Sequence, residues 1–205
     1  MKKYRCSKAL VFLICLTISG AFPVNCFAGE PTEQVKQTVD EVIKILNNKE
    51  LKKPEKEKER KAKIRATVEE RFDFAEMAKR SLGIYWGKRN PAEQKEFITL
   101  FSDLLEDTYI RKIEKYDNER VVYVGETEEG SYAAVKTKIV STSGIEVPVV
   151  YMIFKKGAKW EAYDILVEGV SLVNNYRTQF NHIISTSSYE ELIKKLKAKA
   201  VKSSG

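Results

Sequence analysis

The sequence predicts an α+β fold in which a four-stranded antiparallel sheet is flanked by helices, and three observations carry that prediction. From Val121 to Glu168 apolar and polar residues alternate in four runs separated by short links, the period of two expected of strands. On either side of this region apolar residues recur at three- and four-residue steps, the period of amphipathic helices. The stretch Trp160 to Phe180, WEAYDILVEGVSLVNNYRTQF, passes from one period to the other through Gly169, so a strand and a helix share one segment.

The helices come first. Val35, Val39, Val42 and Leu46 mark a helix with Thr32 as its N-cap, closed by Asn47-Asn48. Lys52 to Lys63, KKPEKEKERKAK, alternates in sign, and pairs such as Glu57 with Lys61 and Glu59 with Lys63 face each other four residues apart on a solvated helical face. That helix continues through Ile64 and Val68 toward Phe72. Phe74, Met77, Ala78 and Leu82 form the next stripe, which Gly83 ends. Asn90-Pro91-Ala92-Glu93 then combines an N-cap, a proline at the first helical position and a capping-box acid. The helix it opens carries Phe97, Leu100, Phe101, Leu104, Leu105, Tyr109, Ile113 and Tyr116.

The strands follow as Val121 to Val124, Ser131 to Thr142, Ile145 to Lys155 and Lys159 to Glu168, joined by turns tight enough to imply a meander. Ala133, Val135, Thr137 and Ile139 share a face opposite Lys136 and Lys138, so one side of that strand is buried and the other wet. Val147, Val149, Tyr151 and Ile153 are in step on the next. Pro148 has no N–H for a ladder and belongs at a bulge or an unpaired position. In the last strand Trp160, Ala162, Asp164 and Leu166 fall on one side and Tyr163, Ile165 and Val167 on the other; bulk on both faces predicts a central strand. Ser171 caps a helix with Val173, Tyr176, Phe180 and Ile184 on its apolar face, and a last helix starts near Ser187 or Ser188.

Residues 1 to 28 read as a cleaved secretory signal: a basic start (Lys2, Lys3, Arg5, Lys8), an apolar run from Ala9 to Ile18, and a Cys26-Phe27-Ala28 end. The run is too short for a spanning helix, which needs about 20 apolar residues. Cleavage is expected after Ala28; lipidation of Cys26 is the lesser alternative, because Pro23-Val24-Asn25 departs from the small-residue context it requires. All three cysteines (Cys6, Cys15 and Cys26) lie in this leader, so disulfides, thiolate catalysis and Cys-ligated metals are excluded from the remainder together. Its loss lowers the formal charge from +7 to +3, which removes most of the compositional support for nucleic-acid binding. Residues 29–205 suffice for a single domain with a substantial core.

Little catalytic chemistry is available. His182 is the only histidine, and without a partner histidine or cysteine a transition-metal site has no ligand set. No Gly-x-Ser-x-Gly elbow and no glycine-rich nucleotide fingerprint is present. Asp164 is the best remaining acid: set among Trp160, Tyr163 and Tyr151 it either shuttles protons on an apolar small molecule, or bonds a helix N-terminus, or pairs with Arg177 as a structural clamp. The ten tyrosines, nine phenylalanines and two tryptophans cluster in Phe72 to Tyr116 and Tyr151 to Phe180, enough apolar surface for a cavity between sheet and helices.

Phe72-Asp73-Phe74-Ala75-Glu76-Met77-Ala78, Leu82-Gly83-x-x-Trp86, Pro91-x-Glu93-x-x-x-Phe97-x-x-Leu100-Phe101, Tyr109 to Tyr116, Gly169-Val170-Ser171-Leu172 and Asn175-Tyr176-Arg177 resemble the MlaC or toluene-tolerance family over almost the whole chain after the leader. Lys52 to Lys63 carries no motif of that family. The resemblance implies a monomeric periplasmic phospholipid carrier with a fold of the nuclear-transport-factor-2-like (NTF2-like) class, its helices and curved sheet enclosing acyl chains. It also implies no enzymatic activity, no cofactor beyond the lipid cargo, and two partners, an inner-membrane ABC transporter complex with an MCE-domain subunit and an outer-membrane lipoprotein complex. The residues then expected to line the pocket are Phe74, Met77, Leu100, Leu104, Tyr109, Val135, Val149, Tyr151, Ile153, Val167, Val170, Leu172, Tyr176 and Phe180. Arg177 is the first choice beside the phosphate, since its fork matches phosphate oxygens, unless it holds Asp164 instead.

Overall fold

The computed structural model describes residues 29–203, so the leader reading lies outside the described residues. Six helices and one antiparallel sheet alternate as α1 (Glu30–Asn47), α2 (Glu57–Glu69), α3 (Phe74–Leu82), α4 (Pro91–Ile113), β1 (Arg120–Glu129), β2 (Tyr132–Val140), β3 (Glu146–Lys156), β4 (Lys159–Val167), β5 (Val170–Ser171), α5 (Leu172–Thr186) and α6 (Tyr189–Ser203), with short 3-10 turns at Pro54–Lys56 and Gly83–Lys88. The sheet runs β1-β2-β3-β4-β5 in sequence order. It therefore has one strand more than expected, the two-residue β5, which folds back on Leu166 and Val167 through the positive-φ pair Glu168 and Gly169.

Helix ends follow local chemistry where the cap is local. Asn90 accepts from the Glu93 N–H at 3.0 Å and Glu93 returns to the Asn90 N–H at 2.9 Å, the capping box that the sequence predicts. Ser171 accepts from the Asn174 N–H and caps α5. The start of α1 differs. Thr32 is not its N-cap; the helix begins at Glu30, and the Thr32 N–H and hydroxyl both donate to Glu126 of β1, which supplies a carboxylate at a helix N-terminus from across the fold. β1 itself outruns its sequence reading because it bulges at Val124 rather than ending there, and this brings Glu126 into position.

A second bulge corrects the reading of β4. Tyr151 pairs with Ile165 and Met152 with Asp164, but Ile153 pairs with Ala162, so Tyr163 is the extra residue. The strict alternation is broken there, and Trp160 and Ala162 share the inner face with Ile165 and Val167. Nor is β4 central. Only β5 lies beyond it, and its remaining edge is covered by the α2–α3 link, with the Ala162 N–H donating to Arg71 O at 2.7 Å and the Asp73 N–H to Ala162 O at 2.9 Å. Pro148 lies at neither a bulge nor an unpaired position: it is in register with Lys138 of β2, and its carbonyl accepts from the Glu168 N–H just past the end of β4.

Three apolar clusters form. One joins α3, α4, α5 and α6 through Met77, Leu82, Phe97, Phe101, Phe180 and Leu192; Phe101 meets Tyr176 and Phe180 edge-on at 5.4 and 5.8 Å. The second packs Val35 of α1 on Ala133, Val135, Ile153, Trp160 and Ala162 of the sheet. The third holds Ile45, Leu46, Leu51, Ile64 and Ile110 where α1 and α2 meet the C-terminal half of α4.

Candidate functional site

Where these clusters approach one another they leave a cavity of about 420 Å³. Its floor is the inner face of the sheet, with Val121, Ile139, Val149, Tyr151, Ile165 and Val167; this face is apolar because each of these residues holds the inward parity of its strand. One wall is α1, which presents Val35, Val39, Val42, Ile43 and Leu46 at helical spacing. The opposite wall is α4, with Leu105, Tyr109, Ile110 and Ile113, and Val68, Phe72, Phe74, Met77 and Leu172 complete the enclosure.

Arg65, Glu69, Arg71, Glu106, Lys112 and Glu119 bring charge to the lining. Arg65 of α2 reaches across to Glu106 and Asp103 of α4 and is joined by Glu69 on its own helix, so this cation is neutralised several times over. Burial nonetheless holds Glu106 above the usual carboxylate range. Arg71 is tied to Gln34 Oε1 at 2.7 Å, Thr38 Oγ1 at 3.1 Å and the Trp160 carbonyl, locking α1 and β4 to the end of α2, and burial lowers its pKa. Lys112 lies over the Tyr109 ring at 5.2 Å. Burial raises the phenols of Tyr109 and Tyr123, and it pushes Tyr151 up to about 12.

Half of the residues expected to line a pocket do so: Phe74, Met77, Tyr109, Val149, Tyr151, Val167 and Leu172. The others lie elsewhere. Leu100, Leu104, Tyr176 and Phe180 belong to the helical cluster, Val135 and Ile153 are fully buried in the sheet cluster that closes one end, and Val170 is 62% exposed on the β5 turn. The α1 wall was legible as an apolar stripe but not as a wall, since periodicity gives a buried face without saying what it faces.

Asp164 and Arg177 do not pair. Asp164 lies on the outer face of β4, where its carboxylate accepts from the Ile165 N–H at 2.8 Å, the Val173 N–H at 3.0 Å and the Ser171 hydroxyl, and so pins the N-terminus of α5 to the sheet. Arg177 donates from Nε to the Arg80 carbonyl at 2.7 Å, satisfying an orphan carbonyl in the last turn of α3, and packs its stem against Gly83, where an added Cβ would lie 3.6 Å from Arg177 Cδ. Neither residue borders the cavity.

The family model described as MlaC protein matches residues 36–198, nearly the whole of the fold just described. The chain belongs to the MlaC family. Among its relatives, the intermembrane phospholipid transport system binding protein MlaC of Haemophilus influenzae is 24% identical over 124 residues, 58% of each chain. The toluene tolerance protein ttg2D of Pseudomonas putida is 26% identical over 97 residues, 47% of this chain and 45% of the relative. The chain thus spans about half the length of these curated relatives. A phospholipid-binding protein from Ralstonia solanacearum, solved in complex with a phospholipid, shares the fold of this MlaC-family chain with a TM-score of 0.75 at 22% identity, covering 86% of this chain and all of that one.

Proposed function

We propose that this MlaC-family protein is a periplasmic phospholipid carrier that takes lipid between an inner-membrane ABC transporter complex with an MCE-domain subunit and an outer-membrane lipoprotein complex, working as a monomer after loss of residues 1–28. The observation that carries the reading is the cavity, whose floor and two walls are built mainly of apolar side chains. On this reading the helices and sheet form an NTF2-like cup for acyl chains. Exposing about thirty methylenes to water costs on the order of 24 kcal/mol at ~0.8 kcal/mol each, and an apolar cup removes most of that cost. Because bilayer and cup are both apolar, transfer between them is nearly neutral in free energy, so direction is set by the partners and by ATP hydrolysis elsewhere. Among the described residues no helix is long and apolar enough to cross a membrane.

The alternative of an enzyme with Asp164 as acid or base finds no support in the geometry, because that carboxylate is used at the α5 N-terminus and faces away from the cavity. The carrier reading is tested by expressing the full chain with its leader, purifying it without detergent and extracting it under denaturing conditions. About one phospholipid, or one multi-tailed lipid, per protein is expected. An extract without lipid would overturn the reading.

A further inference from the structure

One polar group stands deep among the apolar residues of the cavity. Tyr151 borders the cavity from the middle of β3, is half-buried, and has no hydrogen-bond partner for its hydroxyl among the described residues. Cargo that fills the cavity leaves this phenol desolvated, a cost that an acceptor on the cargo itself removes. Its neighbours do not provide one. The nearby Thr137 hydroxyl is spent on the Val149 carbonyl at 3.0 Å, and the Arg71 guanidinium has only donors to offer. The residues flanking Tyr151 on the floor, Val149 and Ile165, are apolar, so a water there would find too few of the two to four partners it needs.

We propose that Tyr151 Oη donates a hydrogen bond to an ester carbonyl of the bound glycerophospholipid, so that the cavity prefers acyl esters to alkyl ethers. This deepens the carrier reading and rests on it. Depth selects the ester rather than the phosphate. The Val149–Val167 pair marks the rim, with Val167 38% exposed, and Tyr151 pairs with Ile165 one inward-facing position deeper, roughly 7 Å along the strand at ~3.4 Å per residue. The next inward pair, Ile153 with Ala162, belongs to the closed sheet cluster. A lipid whose phosphate stays in water at the rim carries its ester carbonyls a few bonds deeper, at the apolar boundary. A phosphate drawn to Tyr151 would instead be a buried anion beside a cation, Arg71, already engaged by Gln34, Thr38 and the Trp160 carbonyl.

The test offers the purified full chain vesicles holding equal amounts of a diacyl phosphatidylcholine and its dialkyl ether analogue of the same chain lengths, then measures the ratio of the two bound lipids by mass spectrometry. One net hydrogen bond of about 0.5–1.5 kcal/mol corresponds to an ester preference of about 2- to 12-fold. Tyr151→Phe, which keeps the ring, should bring the ratio to one. Tyr123→Phe removes a buried hydroxyl that also lacks a partner but lies outside the cavity lining, and should keep the preference. Equal uptake of both lipids by the wild type, a preference that survives Tyr151→Phe, or one lost in Tyr123→Phe overturns the assignment and leaves the carrier standing. Uptake of neither lipid overturns the carrier reading as well.

Discussion

Asp164 and Arg177 illustrate how a residue's type constrains its role without choosing it. A carboxylate among aromatics and an arginine thirteen positions away along the chain suit catalysis, phosphate binding or mutual pairing; the fold instead gives each a backbone terminus to satisfy. Asp164→Ala should then cost about 1–2 kcal/mol, the usual loss of a helix cap, seen as a lower midpoint in chemical unfolding with bound lipid still present. Arg177→Ala should likewise lower stability without changing which headgroups are carried; altered headgroup selectivity would return Arg177 to the lipid. Asp73 provides a pH test. Burial works to raise its pKa, but Lys156 at 2.8 Å and the N–H of Glu76 outweigh it, so the folded pKa is lowered. A depressed carboxylate contributes stability that is present above its unfolded pKa and lost as pH falls through the folded one. The stability difference between wild type and Asp73→Asn should therefore be largest near neutrality and vanish toward acid, and a pH-independent difference would assign the effect to packing.

At the scale of elements, the long-range caps distinguish this fold from a set of independently stable helices. The first turn of α1 is held by Glu126, and a Cβ at Gly29 would meet Glu126 Oε1 at 1.7 Å, so glycine leaves room for that carboxylate. Glu126→Ala should destabilise by about 1–2 kcal/mol and raise amide hydrogen exchange first in α1, the wall of the cavity, with less effect in α4. In β4 the bulge at Tyr163 decides which residues reach the core. Deleting Tyr163 would leave a regular ladder in which Trp160 and Ala162, both fully buried, keep the inner face beside Ile165. Cooperative thermal unfolding is therefore expected to survive the deletion, and its loss would mean that the Tyr163 ring, packed on Tyr132, Phe154 and Arg80, is needed for the strand to form.

For the molecule as a whole, the cavity exists because the three apolar clusters do not merge. A larger side chain on its wall should occupy cargo space without opening the core, so Ile43→Trp should retain its fold by circular dichroism while lipid per protein falls well below one. The sequence by itself determined the α+β class, the capping box at Asn90, the Ser171 cap and the inward face of β2 and β3, because each depends on residues close together in the chain or on strand parity. It also marked α1 and α4 as amphipathic. Tertiary structure alone decided the rest. Two bulges altered parity, which no count of alternating residues foresees. Glu126 capped a helix far away in sequence. Of the residues expected around a pocket, Leu104, Tyr176 and Phe180 fill a core while Val39, Val42 and Ile165 line the cavity. All are apolar and in period, and the free energy of removing them from water is the same whether the neighbour is another side chain or an acyl chain. Hydrophobicity therefore specifies that a face is buried, and only the packing of the elements specifies against what.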